Sequence, residues 1–310
     1  MRVFITGGTG LIGTRLVTAL LERGDQAVVL TRGKAAAAGK LPDKAELIEG
    51  DPQQPGTWME KVSGCEAVVN LAGENLFAHR WNDSFKEALR DSRLRSTRNV
   101  VEAISRAPNK PQVLVQGSAI GYYGFTGDEQ LTEDSPGQTG DFLGQLSHDW
   151  EAAAQPVEQA GVRLVLLRTG VVLAREGGAL KQMMLPFKLF TGGKVGSGGQ
   201  WVSWIHHADE VGLILFALDN AAARGPLNAT APNPVTNAQL AKAIGKALWR
   251  PSFFPTPGFM LKLMLGEVSN LVLKGQRVIP KRAQQWGYRF QFPEIDGALA
   301  DILGKKQAAA

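Results

Sequence analysis

The stretch Thr6-Gly7-Gly8-Thr9-Gly10-Leu11-Ile12-Gly13 decides the fold, because it joins a short β-branched run to an apolar helical segment. Glycine at 7 allows a sharp turn, glycine at 10 lets backbone N–H groups approach a pyrophosphate, and glycine at 13 lets helix and strand pack closely. The N-terminus of the helix then presents its positive dipole end to the anion. The stretch therefore predicts a dinucleotide site at the end of the first strand.

Outward from this turn, the first half of the chain alternates strand-like and helix-like segments. Strands are predicted at 3–6, 26–31, 45–49, 67–71, 112–117 and 162–168, and the main helices at 11–23 and 83–105. This alternation is typical of a parallel sheet with crossover helices. The predicted fold class is therefore α/β, a doubly wound parallel (Rossmann) sheet with a smaller, mostly helical C-terminal region that caps the substrate.

The alternation of strand-like and helix-like segments ends after about residue 170. A glycine-rich segment follows at 192–199 and a proline-rich stretch at 251–257. The predicted domains are an NADP-binding Rossmann domain over 1–172 with 204–231, a substrate-capping region over 173–203 with 232–304, and a frayed tail at 305–310. The apolar residues between 253 and 265 fit either a helix lying on a membrane or a helix packed on the core. Packing on the core is the preferred interpretation.

Composition excludes several classes of protein. The chain has 310 residues, of which 44% are hydrophobic and 20% charged, as in ordinary soluble globular proteins. The longest apolar run is far shorter than the ~20 residues that cross a bilayer, so no membrane association is predicted. The chain begins directly with the first strand, without a secretory leader, and its single cysteine, Cys65, cannot form an internal disulfide. Both features predict a cytoplasmic location.

The number and distribution of charged residues indicate which classes of molecule the chain is expected to bind. A net charge of +5 without a concentrated basic stripe does not predict nucleic-acid binding, and it slightly favours small anionic ligands. The four histidines are too scattered along the sequence to form a local ligand cluster, so no metal is predicted. The expected partner is a small-molecule substrate.

The end of the second strand discriminates between cofactors. An acidic residue there would bind the ribose hydroxyls of NAD, but the sequence reads Leu30-Thr31-Arg32-Gly33-Lys34. Arg32 offers a permanently charged fork to a 2′-phosphate, so NADP(H) is predicted in preference to NAD(H); the alternative for Arg32 is a solvated loop cation. Asp51, after the third strand, would either accept a hydrogen bond from the adenine amino group or cap the turn at Pro52.

Further motifs extend along most of the chain: Val69-Asn70-Leu71-Ala72-Gly73, Ser118 followed by Tyr122-Tyr123-Gly124, Thr132-Glu133-Asp134-Ser135-Pro136, and Trp204-Ile205-His206 with Asp209. Together with the glycine turn they resemble the short-chain dehydrogenase/reductase superfamily, in its extended branch of nucleotide-sugar epimerases and dehydratases. Arg80-Trp81, Ser92-Arg93, the run 200–206 and Val278-Ile279-Pro280-Lys281-Arg282 resemble the narrower, atypical YfcH-like subgroup. The cofactor-binding residues implied by the turn and the resemblance are Gly7, Thr9, Gly10, Leu11, Ile12, Gly13, Thr31, Arg32, Asp51, Leu71, Ala72 and Gly73.

The resemblance fails at one place. The superfamily transfers a proton through a Tyr with a Lys four residues later, whereas the residues four positions after the three tyrosines are Thr126, Gly127 and Phe292. Aligning Glu151 on the acidic residue that commonly ends the motif puts Leu143 in the place of the Tyr and Ser147 in the place of the Lys. Neither side chain is a useful acid or base near neutral pH. Any catalysis therefore requires a different proton donor.

The candidate catalytic residues are Ser118, Tyr122 and Tyr123. A Tyr could serve as an acid only if a cation lowered its pKa from about 10; packing in a turn is the alternative. The candidate substrate residues are Arg80, Trp81, Arg93, Trp201, Trp204 and His206. The alternative for the arginines is a solvated helix face whose cations pair with Glu87 and Asp91. The tryptophans could instead anchor the core, and His206 could form a structural hydrogen bond.

Two functions stay open at this point. The first is an NADP(H)-dependent oxidoreductase or epimerase-like enzyme that acts on a small substrate through a non-standard proton donor. The second is a redox sensor or regulatory protein that binds NADP(H) without turning it over, which the intact glycine turn and the missing Tyr-Lys pair would suit. A polar pocket above the nicotinamide would favour the enzyme.

Overall fold

The computed structural model describes residues 1–304, and in the first half its strands and helices follow the predicted order. The strands are β1 (Arg2–Thr6), β2 (Gln26–Thr31), β3 (Glu46–Glu49), β4 (Ala67–Asn70), β5 (Val113–Ala119), β6 (Gln130–Leu131), β7 (Arg163–Thr169), β8 (Val171–Leu173), β9 (Trp201–Val202), β10 (Trp204–His206), β11 (Gly225–Ala229), β12 (Val235–Thr236) and β13 (Arg277–Val278). The α-helices are α1 (Leu11–Glu22), α2 (Lys34–Ala38), α3 (Asp83–Arg106), α4 (Phe142–Ala154), α5 (Gly178–Lys188), α6 (His207–Asp219), α7 (Asn237–Leu248), α8 (Gly258–Leu265), α9 (Asn270–Leu273), α10 (Lys281–Gln285) and α11 (Ile295–Leu303).

Seven strands form the main sheet, in the order β11-β7-β5-β4-β1-β2-β3. The pairs β1–β2, β1–β4, β2–β3 and β4–β5 are parallel. The inner strands are buried along their length, which is why they read as continuous apolar runs rather than as alternating patterns. The strand order reverses between β1 and β4, and in open α/β sheets the ligand crevice lies beyond the carboxyl ends of the strands at such a point. The predicted fold class is confirmed.

The chain divides into two compact units. The first comprises residues 1–124, 137–168 and 211–227, and the second comprises 125–136, 169–210 and the chain from 228 onward. The domains expected from the sequence, 1–172 with 204–231 and 173–203 with 232–304, stay a prediction about how the chain folds. The tail at 305–310 lies outside the described residues.

Each unit has its own core. In the first, Phe4 and Trp58 stack with ring centroids 6.0 Å apart among buried aliphatic side chains of the sheet and of α3. In the second, Trp204 is surrounded by buried side chains of α5, α7 and α11. The described residues contain no helix that is both long and apolar enough to span a bilayer.

Helix α8 departs from the preferred interpretation of its sequence. Phe259, Leu263 and Met264 are 72%, 78% and 67% exposed, and Phe253, ahead of the helix, is 74% exposed. The expectation that this segment packs on the core is therefore wrong for these side chains. Apart from Lys262, the side chains of this helix are apolar all around, so its sequence pattern does not indicate which side is covered.

Candidate functional site

The glycine turn has the geometry that its sequence predicts. Gly7 has a φ of +69°, and a Cβ there would lie 2.7 Å from the carbonyl carbon of Leu71. A Cβ on Gly13 would lie 2.2 Å from the carbonyl oxygen of Gly7, so only glycine allows this contact between helix and turn. Gly10 is the exposed N-cap of α1, and no side chain caps that helix. The first-turn N–H groups of α1 are therefore open to an anion.

A buried polar network lies beneath the turn and was not anticipated from the sequence. Asn70, at the end of β4, accepts a short hydrogen bond from Thr6 and donates to Thr97 at 3.2 Å and to Gln116 at 2.8 Å. The Thr6 hydroxyl in turn accepts from the backbone N–H of Ala72 at 3.2 Å. These bonds join the carboxyl ends of β1 and β4 to each other and to the middle of β5. They also hold the segment 71–73 beside the glycine turn.

Arg32 is exposed at the end of β2, and its neighbour Thr31 accepts a 3.3 Å hydrogen bond from the N–H of Gly33. Asp51 is half-buried, and its Oδ1 accepts from the N–H of Gln53 at 2.9 Å. This bond is that of an Asx turn, the capping alternative considered for Asp51. An exposed guanidinium at the end of the second strand leaves the predicted phosphate contact geometrically open.

Helix α4 carries the residues that replace the Tyr-Lys pair. Leu143, Ser147 and Glu151 lie four residues apart and therefore on one face of the helix. The Ser147 hydroxyl donates to the carbonyl oxygen of Leu143 at 2.8 Å, so it is used within the helix. Glu151 is the one titratable group among these three side chains.

Arg168, at the end of β7, is the centre of a buried cluster. Its Nε and Nη2 donate to the two carboxylate oxygens of Glu151, both at 2.8 Å, and its Nη1 donates to the Tyr123 hydroxyl at 2.9 Å. The Ser118 hydroxyl donates to the same carboxylate at 2.7 Å. Burial alone would lower the pKa of Arg168, but the hydrogen bonds and charge of Glu151 outweigh burial and raise it, so the guanidinium is a permanent cation.

Tyr122 lies directly over this cation. The Arg168 guanidinium carbon is 3.4 Å from the centroid of the Tyr122 ring, and the His148 imidazole stacks on the ring with centroids 4.1 Å apart. Tyr122 is partly exposed, whereas Tyr123 is completely buried. Within residues 1–304, no hydrogen bond is formed by the Tyr122 hydroxyl. The cation in contact with this ring is therefore Arg168, which is distant from Tyr122 in the sequence.

Arg93 of α3, one of the candidate substrate residues, fits neither of the two interpretations of its sequence. Arg93 is only 9% exposed, so it does not lie on a solvated face. It donates to the carbonyl oxygens of Leu89 and Glu74 at 3.0 Å and stacks over Trp150, and burial lowers its pKa to about 10. Arg80 is exposed, and the Trp81 indole donates to the carbonyl of Leu76. Among these residues, Arg80 keeps the surface accessibility that a substrate clamp requires.

The candidate substrate residues of the second unit differ in how deeply they are buried. Trp204 and His206 are at most 1% exposed, which favours the structural roles considered for them, whereas Trp201 is half-buried. The Trp201 indole donates to Asp128 at 2.6 Å. His206, His207 and Asp301 have ligand atoms close enough to hold a metal ion.

The hydrogen bonds of His206 argue against a metal at that cluster. Its Nδ1 accepts from the N–H of Ala208, so the neutral ring carries its proton on Nε2, which faces Asp301 at 3.2 Å. A metal-ligating histidine has the opposite arrangement, with the second nitrogen donating its proton to an outer partner. The cluster therefore fits a hydrogen-bonded pair better than a metal centre.

Two sequence motifs pair with each other in the second unit. Glu133 accepts from the backbone N–H groups of Asn228 and Arg282, and Asp134 forms ion pairs with Lys281 and Arg282. Burial raises the pKa of Glu133, although these hydrogen bonds oppose the rise. Strands β6 and β13 run in parallel beside these contacts. The segments 132–136 and 278–282 are thus joined by hydrogen bonds and ion pairs and have a structural role.

Comparison with known proteins agrees with this geometry. Residues 3–229 match the NAD dependent epimerase/dehydratase family, and residues 256–302 match a domain of unknown function, DUF1731. Epimerase family protein YfhF of Bacillus subtilis (strain 168) is 38% identical over 308 residues and covers 99% of both chains. The Arabidopsis thaliana protein described as "Epimerase family protein SDR39U1 homolog, chloroplastic" is 41% identical over 307 residues, 98% of this chain and 87% of its own.

A solved structure extends the comparison to three dimensions. The crystal structure of human epimerase family protein SDR39U1 (isoform2) with NADPH superposes with a TM-score of 0.87 at 38% identity, covering 98% of this chain and 99% of the human one. The similarity includes both the sheet unit and the second unit. The chain belongs to the NAD dependent epimerase/dehydratase family.

Proposed function

We propose that the chain binds NADP(H) in preference to NAD(H) and acts as an oxidoreductase or epimerase-like enzyme on a small substrate. The observation that carries this proposal is the turn at Gly7, Gly10 and Gly13, which leaves α1 open to an anion with Arg32 exposed at the end of β2. The human relative crystallised with NADPH supports the same cofactor. When bound, the cofactor supplies hydride transfer at its nicotinamide ring.

The proposal gives the candidate residues distinct roles. Tyr122 exchanges a proton with the substrate hydroxyl or carbonyl, because its ring faces the Arg168 guanidinium and its side chain is partly exposed. Ser118 and Tyr123 act indirectly, by holding Glu151 and Arg168 in place. The proposed cofactor contacts are Gly7, Thr9, Gly10, Leu11, Ile12, Gly13, Thr31, Arg32, Asp51, Leu71, Ala72 and Gly73. Arg80, Trp81 and Trp201 are the proposed substrate contacts.

One observation favours the second candidate, a redox sensor that binds NADP(H) without turnover. Leu143 and Ser147 replace the Tyr-Lys pair, and the Ser147 hydroxyl is used within α4. Turnover of any compound would contradict the sensor. The cytoplasmic location suggested by the sequence is also a proposal, and one relative carries the description chloroplastic.

Changing Arg32 to Asp is expected to weaken NADPH binding at least about 10-fold. A charged, bidentate contact with the 2′-phosphate contributes roughly 1.5–3 kcal/mol, and the variant replaces it with repulsion. NADH lacks this phosphate, so its affinity should be much less affected. Titration of both cofactors against intrinsic tryptophan fluorescence gives the two dissociation constants, and the unaltered protein should prefer NADPH at least about 10-fold.

A matched control is available in the same region. Lys40 is exposed and carries the same charge, so Lys40→Asp makes the same change of net charge away from the end of β2. This variant should keep the preference for NADPH. Equal affinities for the two cofactors in the unaltered protein, or an unchanged preference in Arg32→Asp, would contradict the assignment.

A further inference from the structure

The second unit contains a cleft of about 330 Å³ that the proposed proton chemistry does not use. Its walls include the rings of Phe125 and Trp201 and three glycines, at 127, 199 and 275. Small-molecule sites range from about 300 to 1,000 Å³, so this volume suits a ligand of one ring rather than a dinucleotide. The cleft therefore has the size of a small substrate site.

The cleft pairs aromatic rings with cations. Lys274, an exposed lining residue, has its Nζ 5.4 Å from the centroid of the Phe125 ring. The guanidinium carbon of Arg277 is 4.7 Å from the centroid of the Trp201 ring. The Arg277 Nε is buried and, within the described chain, has no hydrogen-bond partner. A buried, unpaired donor on a cation is costly unless a ligand or water satisfies it.

The local charge favours an anion. Two cations belong to this region, Lys274 in the lining of the cleft and Arg277 against the Trp201 ring. The one acidic lining residue is Asp128, whose Oδ1 accepts the indole N–H of Trp201 at 2.6 Å. The Asp128 carboxylate is thus hydrogen-bonded to the indole, whereas the Lys274 ammonium belongs to an exposed side chain. An oxyanion next to Lys274 would then sit at the edge of two aromatic rings.

Backbone contacts and side-chain hydrogen bonds define the walls of the cleft. A Cβ on Gly275 would lie 2.0 Å from the carbonyl oxygen of Trp201, so the chain passes tightly against the strand that carries this ring. Gly127 has a φ of +69°, and a Cβ there would meet no atom within 4 Å. The Gln200 side chain donates to the carbonyls of Val195 and Val272, which ties the adjoining segments together. These contacts pack the chain closely around the strand that carries the Trp201 ring.

We propose that this cleft binds a small oxyanion carrying a flat ring, a phosphate or carboxylate attached to an aromatic group, with the anion at Lys274 and Arg277 and the ring beside Trp201 and Phe125. The inference deepens the proposed function and rests on it, because the occupant would be the substrate. Binding can nevertheless be measured without turnover.

The test is a ligand-observed NMR titration of the full chain saturated with NADP+, so that the cofactor blocks its own phosphate sites. Four probes separate the contributions: phenyl phosphate, benzoate, inorganic phosphate and benzyl alcohol. Phenyl phosphate should bind with a dissociation constant of about 1 mM or lower, as expected for a ligand of this size. Inorganic phosphate and benzyl alcohol should each bind at least about 5-fold more weakly, and benzoate shows whether a carboxylate substitutes for the phosphate.

The variant Lys274→Gln should weaken phenyl phosphate binding about 5- to 10-fold and leave benzyl alcohol unchanged, because only the anion loses a partner. Lys262→Gln is the matched control: Lys262 is exposed on α8 and lies outside the cleft, so this variant should bind like the unaltered protein. Equal binding of phosphate and phenyl phosphate, or an unchanged affinity in Lys274→Gln, overturns the proposal. Failure of NADPH itself to bind in the fluorescence titration overturns the proposed function instead, and the two failures are distinguishable.

Discussion

Replacing Tyr122 with Phe is expected to lower NADPH-dependent turnover by roughly 10²- to 10⁴-fold, the usual cost of losing a positioned acid or base. The Arg168 guanidinium carbon lies 3.4 Å from the centroid of this ring, so the partly exposed phenol is held against a permanent cation at the proposed site. The affinity for NADPH should not change, because Tyr122 is not among the proposed cofactor contacts. The loss should therefore fall on kcat.

The measurement incubates the NADPH-loaded protein with nucleotide sugars and with small aldehydes and ketones, following NADPH absorbance and product stereochemistry. Tyr123→Phe is the informative neighbour, because it removes a fully buried hydroxyl that accepts from Arg168. We expect this variant to lower stability by about 1 kcal/mol and to reduce turnover much less than Tyr122→Phe. A Tyr122→Phe protein as active as the unaltered one would show that the proton donor lies elsewhere.

The same panel separates the two candidate functions. Conventional epimerisation through a keto intermediate should be slow, because Leu143 and Ser147 supply neither the acid nor the base. Reduction of a small carbonyl compound would support the enzyme. Absence of turnover for every compound, in a protein that binds NADPH tightly, would favour the sensor.

Local sequence signals were sufficient for six of the seven strands of the sheet and missed β11. The strands at 2–6, 26–31 and 67–70 are buried on both faces, so their apolar runs and the intervening helix patterns indicated a parallel sheet without tertiary information. The conformation of the glycine turn could also be predicted from the sequence, because a side chain at Gly7 or Gly13 would clash with the backbone. The prediction for helix α8 was wrong for the converse reason, since a helix whose residues are apolar all around, apart from one lysine, has no hydrophobic periodicity.

The candidate site was predictable only in part. Ser118 lies near the end of β5, and Tyr122 and Tyr123 follow that strand, so all three could be found from their motif. Arg168 and Glu151 come from β7 and α4 and meet them only in the folded chain. No spacing rule connects residues 118, 151 and 168. A buried arginine at a strand end, at the same sheet edge as Ser118, is the signal that could have suggested the pair.

Glu210 provides a test of the second unit that is independent of any ligand. It lies in the first turn of α6, has no exposed surface, and accepts one hydrogen bond at Oε1 from the Thr169 hydroxyl at 2.8 Å. Its Oε2 is buried and has no hydrogen-bond partner in the part of the chain that the structure describes. Burial raises the pKa of this carboxyl from 4.5 to about 8, against a small opposing effect of the Thr169 bond.

The sign of the effect on stability follows from this rise. Below about pH 4.5 the carboxyl is protonated in the folded and unfolded chains alike, and its full contribution to stability is present. As pH rises towards 8 the unfolded chain loses the proton while the folded chain keeps it, so the free energy of unfolding falls. At about 1.4 kcal/mol for each tenfold difference in proton affinity, the loss between pH 4.5 and 8 is roughly 4–5 kcal/mol.

Glu210→Gln should therefore lose most of this pH dependence, because glutamine does not titrate and its amide fills nearly the same volume. The free energy of unfolding, from urea denaturation at several values between pH 5 and 8.5, is compared in the variant and the unaltered protein. The difference between them should change with pH by on the order of 4 kcal/mol, in favour of the variant at high pH. Glu129→Gln is the matched control, since Glu129 is exposed in the same unit and its loss should leave the pH dependence as it is. If the two curves for Glu210→Gln and the unaltered protein run parallel, the carboxyl is ionised or hydrated in the folded chain and its burial does not govern stability.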